Sequence, residues 1–129
     1  MTRKGFGCIV TLSVIALLTV PAMASEAAAA SGAQIFQARC TQCHLVTSEQ
    51  STTGPSLQGI VGRKAASLAN WEYSAALKAS NITWTAEVLE EWLASPHAKV
   101  PETGMPVPGI KDAKERAALV EYMKANSKK

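Results

Sequence analysis

The sequence is short of aromatic residues and of cysteine. Of its 129 residues, 5% are aromatic and three are cysteines. This length allows one domain, and so few aromatic side chains allow only one modest hydrophobic core. No segment alternates apolar and polar residues strongly enough to predict a β-sheet. The chain should therefore be helical, with something besides its own side chains completing the core.

The chain also lacks a large excess of either positive or negative charge. There are 13 Lys and Arg residues and 10 Asp and Glu residues. Two of the basic residues, Arg3 and Lys4, lie in a segment that we expect to be removed, so the remaining domain is close to neutral. Binding to nucleic acid usually needs a basic face. Nucleic acid is therefore excluded as the expected partner.

One long apolar run is present, and it lies at the start. Arg3 and Lys4 precede an apolar run over residues 9–20, and small residues follow up to Ala24. This order predicts a secretory signal peptide over residues 1–24, cut after Ala24. The alternative is an uncleaved anchor, but the apolar stretch is shorter than the about 20 residues that span a bilayer. We therefore expect export to the periplasm, with no stable membrane insertion after cleavage.

The exported part should consist of a short tail and one domain. The small residues of 25–31 predict a flexible tail, and residues 32–129 form the domain. Ser31 stands three residues before Gln34 in a capping-box arrangement, which predicts that the first helix begins there. A second, short helix is expected within residues 71–80.

Two further helices are expected in the second half of the chain. Thr83 or Thr85 can cap the first of them, whose apolar face includes Trp92 and which Pro96 should end. The four prolines and two glycines of residues 95–110 predict an irregular loop. Asp112 starts the last helix, which carries Leu119, Tyr122 and Met123 on one stripe. The predicted fold class is all-α, with three main helices, one short helix and long loops.

The segment CTQCH, which contains Cys40, Cys43 and His44, decides the function. A disulfide across so short a ring adds little stability, and a thioredoxin-like pair would need a βαβ setting that is missing. A zinc ion would need four ligands, with only His97 left to complete the set. Covalent haem attachment explains the spacing, because residues three apart share a helix face and both thiols can reach one edge of the ring. The adjacent histidine then becomes an axial iron ligand.

The opposite face of the iron could be bound by His97, Met105 or Met123. Met123 lies on the stripe of the last helix, where methionine usually packs in the core. His97 follows a proline at a helix end, where an exposed loop histidine is the ordinary interpretation. Met105 lies among prolines that can fix a loop over the ring, so we favour it as the soft sulfur ligand. Filling both axial positions predicts an electron carrier and not an enzyme.

Beyond the haem motif, the chain resembles the class I cytochromes c, specifically the small bacterial relatives of the mitochondrial protein. The segments GAQIFQARCTQCH, TGPSLQGIVGRK, ITW and GIKDAKERAALVEYMK are similar to successive segments of that family, over residues 31–126. The resemblance implies the cytochrome c fold wrapped around one covalent haem c, held by Cys40 and Cys43, with His44 and Met105 on the iron.

The same resemblance implies roles for residues around the haem. Gly32 and Phe36 should pack against Leu119 and Tyr122 of the last helix. The Pro55 carbonyl should accept a hydrogen bond from His44, and a further set should lie near the haem propionates: Arg63, Tyr73, Trp84 and Thr103. Three positions depart from the family pattern, namely Leu77, Trp92 and Val107, which replace an asparagine, a tyrosine and a phenylalanine.

The expected function is one-electron transfer between respiratory or photosynthetic complexes. The partners would be a quinol-oxidising cytochrome complex and a terminal oxidase or reductase, served by a monomer. The lysines that ring the haem edge in the mitochondrial protein are thinned, with His97 and Gly104 at two such places, while Arg39 and Lys111 remain. The alternatives are a haem enzyme, a gas-binding module or a fixed electron-transfer subunit of a larger oxidoreductase.

Overall fold

Helices provide the regular structure of the computed structural model, which describes residues 22–127. Within this range the elements, in chain order, are α1 (Ala22–Arg39), α2 (Ala75–Ala79), α3 (Ala86–Ala94), α4 (Pro96–Lys99) and α5 (Ala113–Ala125). An isolated antiparallel bridge joins Lys64 and Thr83, and no strand is formed in the described part of the chain. The all-α prediction is confirmed, with α1, α3 and α5 as the three main helices.

Local capping explains where two of these helices begin. The side chain of Thr85, and not of Thr83, accepts a hydrogen bond from the backbone N–H of Val88 at 3.3 Å and caps α3. Asp112 caps α5 by accepting from the N–H groups of Lys114 at 2.7 Å and Glu115 at 3.3 Å. Each bond satisfies an N–H that has no partner inside the helix. The short helix α2 also lies where it was predicted.

Two boundaries differ from the prediction. Helix α1 begins at Ala22, so the capping-box start at Ser31 is wrong, and the helix passes through residues 25–31. Residues 95–110 are not wholly irregular, because Pro96 opens the short helix α4. Proline is favourable at the first position of a helix because its missing N–H would have no partner there.

The most extensive helix packing is between α1 and α5, and α3 also packs against α5. An added Cβ at Gly32 would lie 2.0 Å from the carbonyl oxygen of Ala118, so α1 approaches the backbone of α5 at this point. One turn later the rings of Phe36 and Tyr122 pack with centroids 5.4 Å apart. Leu119 has no exposed surface. The family resemblance implied that Gly32 and Phe36 pack against the last helix, and their contacts with Tyr122 agree with it.

The segment between α4 and α5, residues 100–111, is named the Met105 loop. Its C-terminal end is attached to both α3 and α5. The backbone N–H of Ile110 donates to the Leu93 carbonyl at 2.7 Å. The guanidinium of Arg116 donates to the carbonyls of Ile110 at 2.7 Å and Lys111 at 2.8 Å. The loop therefore leaves α4 and returns to a fixed point beside α5.

Residues 1–21, which make up most of the predicted signal peptide, lie outside the described residues. Helix α1 is described for the uncut chain. The cleavage site after Ala24, the flexibility of residues 25–31 once the chain is cut, and the domain boundary at residue 32 therefore stay predictions. No helix within residues 22–127 combines the length and the apolar character required to cross a bilayer.

Candidate functional site

The CTQCH segment continues the helical winding of α1 for one further turn. The N–H of Cys43 donates to the Cys40 carbonyl at 3.1 Å, and the N–H of His44 donates to the same carbonyl at 2.9 Å. Both cysteines are half-buried free thiols. Burial raises the pKa of the Cys40 thiol to about 11, so this group is neutral at physiological pH. The winding brings the two thiols and the imidazole together on one turn, as their spacing predicted.

The ring of His44 is held in one orientation. Its Nδ1 lies 2.7 Å from the carbonyl oxygen of Pro55. A carbonyl can only accept, so Nδ1 carries the proton and donates, and Nε2 is left with its lone pair. Burial lowers the pKa of His44, an effect that the Pro55 carbonyl opposes, and the neutral imidazole is the form that binds a metal.

The backbone of Gly54 lies against one side of the His44 ring, a contact that the local sequence pattern did not predict. An added Cβ at Gly54 would lie 2.6 Å from Cε1 of His44 and 2.9 Å from the Cys43 carbonyl oxygen. The N–H of Gly54 also donates to that carbonyl at 2.7 Å, and the Thr52 hydroxyl donates to it at 2.8 Å. Local spacing could not predict this contact, because it joins residues that are distant along the chain.

Arg63 forms hydrogen bonds with the segment that follows Pro55. Its guanidinium donates to the carbonyls of Ser56 at 2.7 Å and Gln58 at 2.8 Å. Burial lowers its pKa, which the nearby Tyr73 opposes, while burial raises the pKa of Tyr73, which the charge of Arg63 opposes. The backbone of Arg63 also accepts from the N–H of Trp84 at 2.9 Å. Three of the residues predicted near the propionates are therefore neighbours, and Arg63 ties them to the segment that holds His44.

Thr103 is placed with Met105 in the Met105 loop. It is one of two buried polar side chains, with 7% of its surface exposed, in the part of the chain that the structure describes. The hydroxyl oxygen of Thr103 accepts from the N–H of Met105 at 3.4 Å, and the N–H of Thr103 donates to the Val100 carbonyl at 3.2 Å. Met105 itself is half-buried against the hydrophobic core.

The other candidate iron ligands lie in different surroundings. Met123 is 3% exposed and packs within the hydrophobic core. His97 is exposed on α4. Of the three candidates, Met105 is the side chain that is partly buried on an irregular loop.

The three departures from the family pattern also have defined surroundings. Trp92 is 7% exposed and packs edge to face on Trp84, with ring centroids 5.0 Å apart. Leu77 is half-buried against the hydrophobic core, and Val107 is half-buried in the Met105 loop. Trp92 therefore fills core space next to a residue predicted to lie near the propionates.

The arrangement fits a covalent haem better than a metal ion held by protein ligands alone. Two free thiols share a turn with an imidazole whose Nδ1 is already hydrogen-bonded, and Gly54 leaves no space for a side chain beside that ring. Within residues 22–127, no group of three or more His, Cys, Asp or Glu side chains could hold a metal ion together. The zinc interpretation therefore gains no support from the described residues.

Comparison with known proteins gives a consistent result. The protein-family model for cytochrome c matches residues 29–127. The chain is 43% identical to the cytochrome c type-1 of Ascaris suum, over 77% of this chain and 88% of that protein. It is 40% identical to the cytochrome c2 of Blastochloris viridis, over 88% of this chain and 87% of that protein. The solved structure of cytochrome cH from Methylobacterium extorquens superposes with a TM-score of 0.71 at 42% identity, covering 75% of this chain and 97% of that one.

Proposed function

The chain belongs to the cytochrome c family, and on this premise we propose that it is a periplasmic one-electron carrier with a single covalent haem c. Membership of the family supports haem iron and electron transport as its chemistry. The finer proposal is that thioether bonds attach the haem to Cys40 and Cys43, with His44 and Met105 as axial ligands. Bound haem would supply an iron couple that exchanges one electron with a partner.

The observation that carries the proposal is the hydrogen bond between His44 and Pro55 at 2.7 Å. It fixes both the tautomer and the ring plane, so that Nε2 is the nitrogen available to iron. A hydrogen bond to the second ring nitrogen also increases the basicity of a metal-binding histidine. The imidazole is therefore prepared as a ligand by the chain itself.

The placement of Met105 supports closure of the second axial position. A methionine sulfur with a histidine raises the reduction potential relative to harder ligand pairs. With both positions filled by side chains, a substrate or gas has no open coordination site. We propose on these grounds that the protein carries electrons and has no enzymatic activity, and that Arg63, Tyr73, Trp84 and Thr103 surround the propionates.

The proposed partners are a quinol-oxidising cytochrome complex and a terminal oxidase or reductase. Lys111 is exposed, but Arg39 forms an ion pair with Glu115 at 3.2 Å. Because few basic residues are expected around the haem edge, and Arg39 is paired with an acidic residue, the surface should attract an acidic partner only weakly at long range. We therefore propose that a monomer docks mainly through short-range contacts, and that its association rate depends weakly on ionic strength.

The test is the visible spectrum of the oxidised, exported protein. A methionine sulfur bound to ferric haem iron gives a weak band in the far red. We expect this band in the natural protein and in Met123→Leu, a matched control for the loss of a methionine, and no band in Met105→Leu. We also expect His97→Ala to keep it. A band lost in His97→Ala but kept in Met105→Leu would overturn the ligand assignment.

Two further measurements separate the alternatives. The reduced protein should not bind carbon monoxide rapidly at neutral pH, whereas a gas-binding module or haem enzyme would. The mass of the exported protein should equal that of residues 25–129 with one attached haem. Recovery of the protein only with a tightly bound larger oxidoreductase would favour the fixed-subunit alternative.

A further inference from the structure

Glu102 adopts a backbone conformation that its side chain disfavours. Its φ is +65°, in the left-handed region. In that region the Cβ of an L-residue crowds the following carbonyl oxygen, and only glycine and, to a lesser degree, asparagine and aspartate occupy it readily. Ala66 and Asn81 also have a positive φ, at 56° and 51°, but asparagine tolerates this region and Ala66 lies far along the chain from the Met105 loop. The strained residue lies three positions before Met105.

The nearest glycine of the loop does not use its conformational freedom. Gly104 is exposed and its φ is not positive, and an added Cβ there would meet no atom within 4 Å. Gly109, by contrast, is required, because an added Cβ would lie 1.7 Å from the Ala94 carbonyl oxygen. The Met105 loop thus has glycine at position 104, where its backbone does not require one. At position 102, where glycine would be free of strain, it has a residue with a Cβ.

Contacts of the neighbouring residues hold Glu102 in this conformation. Thr103 is buried and bonded on both sides, through its N–H to Val100 and through its hydroxyl oxygen to the N–H of Met105. Glu102 is exposed, and its carboxylate forms no ion pair within residues 22–127. Its own contacts therefore do not offset the strain, which persists because the surrounding loop imposes the conformation.

We propose that Glu102 is a positioning residue for Met105, whose strained backbone increases the fraction of time that the loop is open and the sulfur is away from the iron. This proposal rests on the ligation of iron by Met105 proposed above. Opening the loop frees Glu102 to adopt an ordinary φ, so the strain is relieved only in the open state. An external ligand that needs the open loop binds with an apparent Kd inversely proportional to the open fraction.

The experiment is a titration of the oxidised haem protein with imidazole, followed by loss of the far-red band. In Glu102→Gly the strain disappears, and we expect the apparent Kd to rise about tenfold, which corresponds to about 1.4 kcal/mol. Glu102→Ala removes the carboxylate but keeps the Cβ, so its Kd should stay close to that of the natural protein. Glu102→Asn should fall between Ala and Gly.

Hydrogen exchange provides a readout that does not depend on the iron ligand. The amide of Thr103 is bonded to Val100 in the closed loop, so its exchange should slow about tenfold in Glu102→Gly and stay unchanged in Glu102→Ala. Equal effects of the two substitutions in both assays would assign the result to charge and overturn the proposal, as would an unchanged Glu102→Gly. A far-red band that persists in Met105→Leu would overturn the assignment of Met105 as an iron ligand. The exchange rate of the Thr103 amide would still test the strain at Glu102, because it does not depend on that assignment.

Discussion

Replacing Gly32 by alanine should force α1 and α5 apart. The new Cβ would lie 2.0 Å from the carbonyl oxygen of Ala118 and 2.7 Å from Cβ of Tyr122. The first contact is about 1.4 Å shorter than the 3.4 Å at which ordinary contacts begin. It involves backbone, so no side-chain rotation can relieve it. The helices must separate, which also disturbs the packing of Phe36 on Tyr122.

The size of the effect follows from two opposing contributions. Inserting a methyl group into a packed interface costs about 1 to 3 kcal/mol, and contact with rigid backbone favours the upper value. Alanine favours the interior of a helix over glycine by about 1 kcal/mol. The net loss in the free energy of unfolding should be about 2 kcal/mol, a large part of the 5 to 15 kcal/mol typical of small domains.

Unfolding of the haem-containing protein in guanidinium chloride, followed by far-ultraviolet circular dichroism, measures this loss. With a slope of about 3 kcal/mol per M, the midpoint should fall by about 0.7 M. Gly104→Ala is the matched control, since its added Cβ meets no atom within 4 Å, and it should change stability by less than about 0.5 kcal/mol. A Gly32→Ala protein with the midpoint and slope of the natural protein would refute the close approach of the two helices.

The remaining predictions concern the site and its supports. Gly54→Ala should displace the His44 ring and lower the free energy of unfolding by about 1 to 3 kcal/mol with a changed visible spectrum; an unaltered spectrum and midpoint would contradict this. Arg116→Met removes two hydrogen bonds to the end of the Met105 loop and should cost about 2 kcal/mol in denaturant unfolding, whereas a loss under about 0.5 kcal/mol would show the bonds to be unimportant. Thr85→Ala should cost about 1 kcal/mol through the lost cap on Val88, Thr85→Ser should recover most of it, and equal losses in both would argue against the cap.

The main helices could be predicted because their signals are local. The apolar period around Trp92 and the cap at Thr85 both lie within one helix, and so do the Asp112 cap and the Leu119 stripe. These patterns predict helices well because any fold must bury the apolar face of a helix and must provide acceptors for its first N–H groups. The start of α1 was missed because alanine-rich sequence favours helix wherever a neighbouring turn extends into it, and a capping box at Ser31 does not prevent this.

The local geometry of the CTQCH segment was also predictable, because its three functional groups lie on one helical turn. The partners of that turn were not predictable from spacing. Pro55 and Gly54 meet His44 across a loop, and Arg63 then secures the same loop through the Ser56 and Gln58 carbonyls. Only the resemblance to a family pointed to Pro55, since a resemblance describes a whole fold and not a local pattern.

The Met105 loop shows the physical limit of local sequence patterns. Its prolines correctly predicted the absence of a long helix, but its path depends on contacts with α3 and α5. Gly104 and Gly109 look alike in the sequence, yet one faces open space and the other touches the Ala94 carbonyl. Glu102 occupies a conformation that its residue type disfavours, because Thr103 and the fixed C-terminal end of the loop outweigh its local preference. The position of Met105 is therefore a property of the folded domain, and substitutions far from it in sequence, such as Arg116→Met, should alter it.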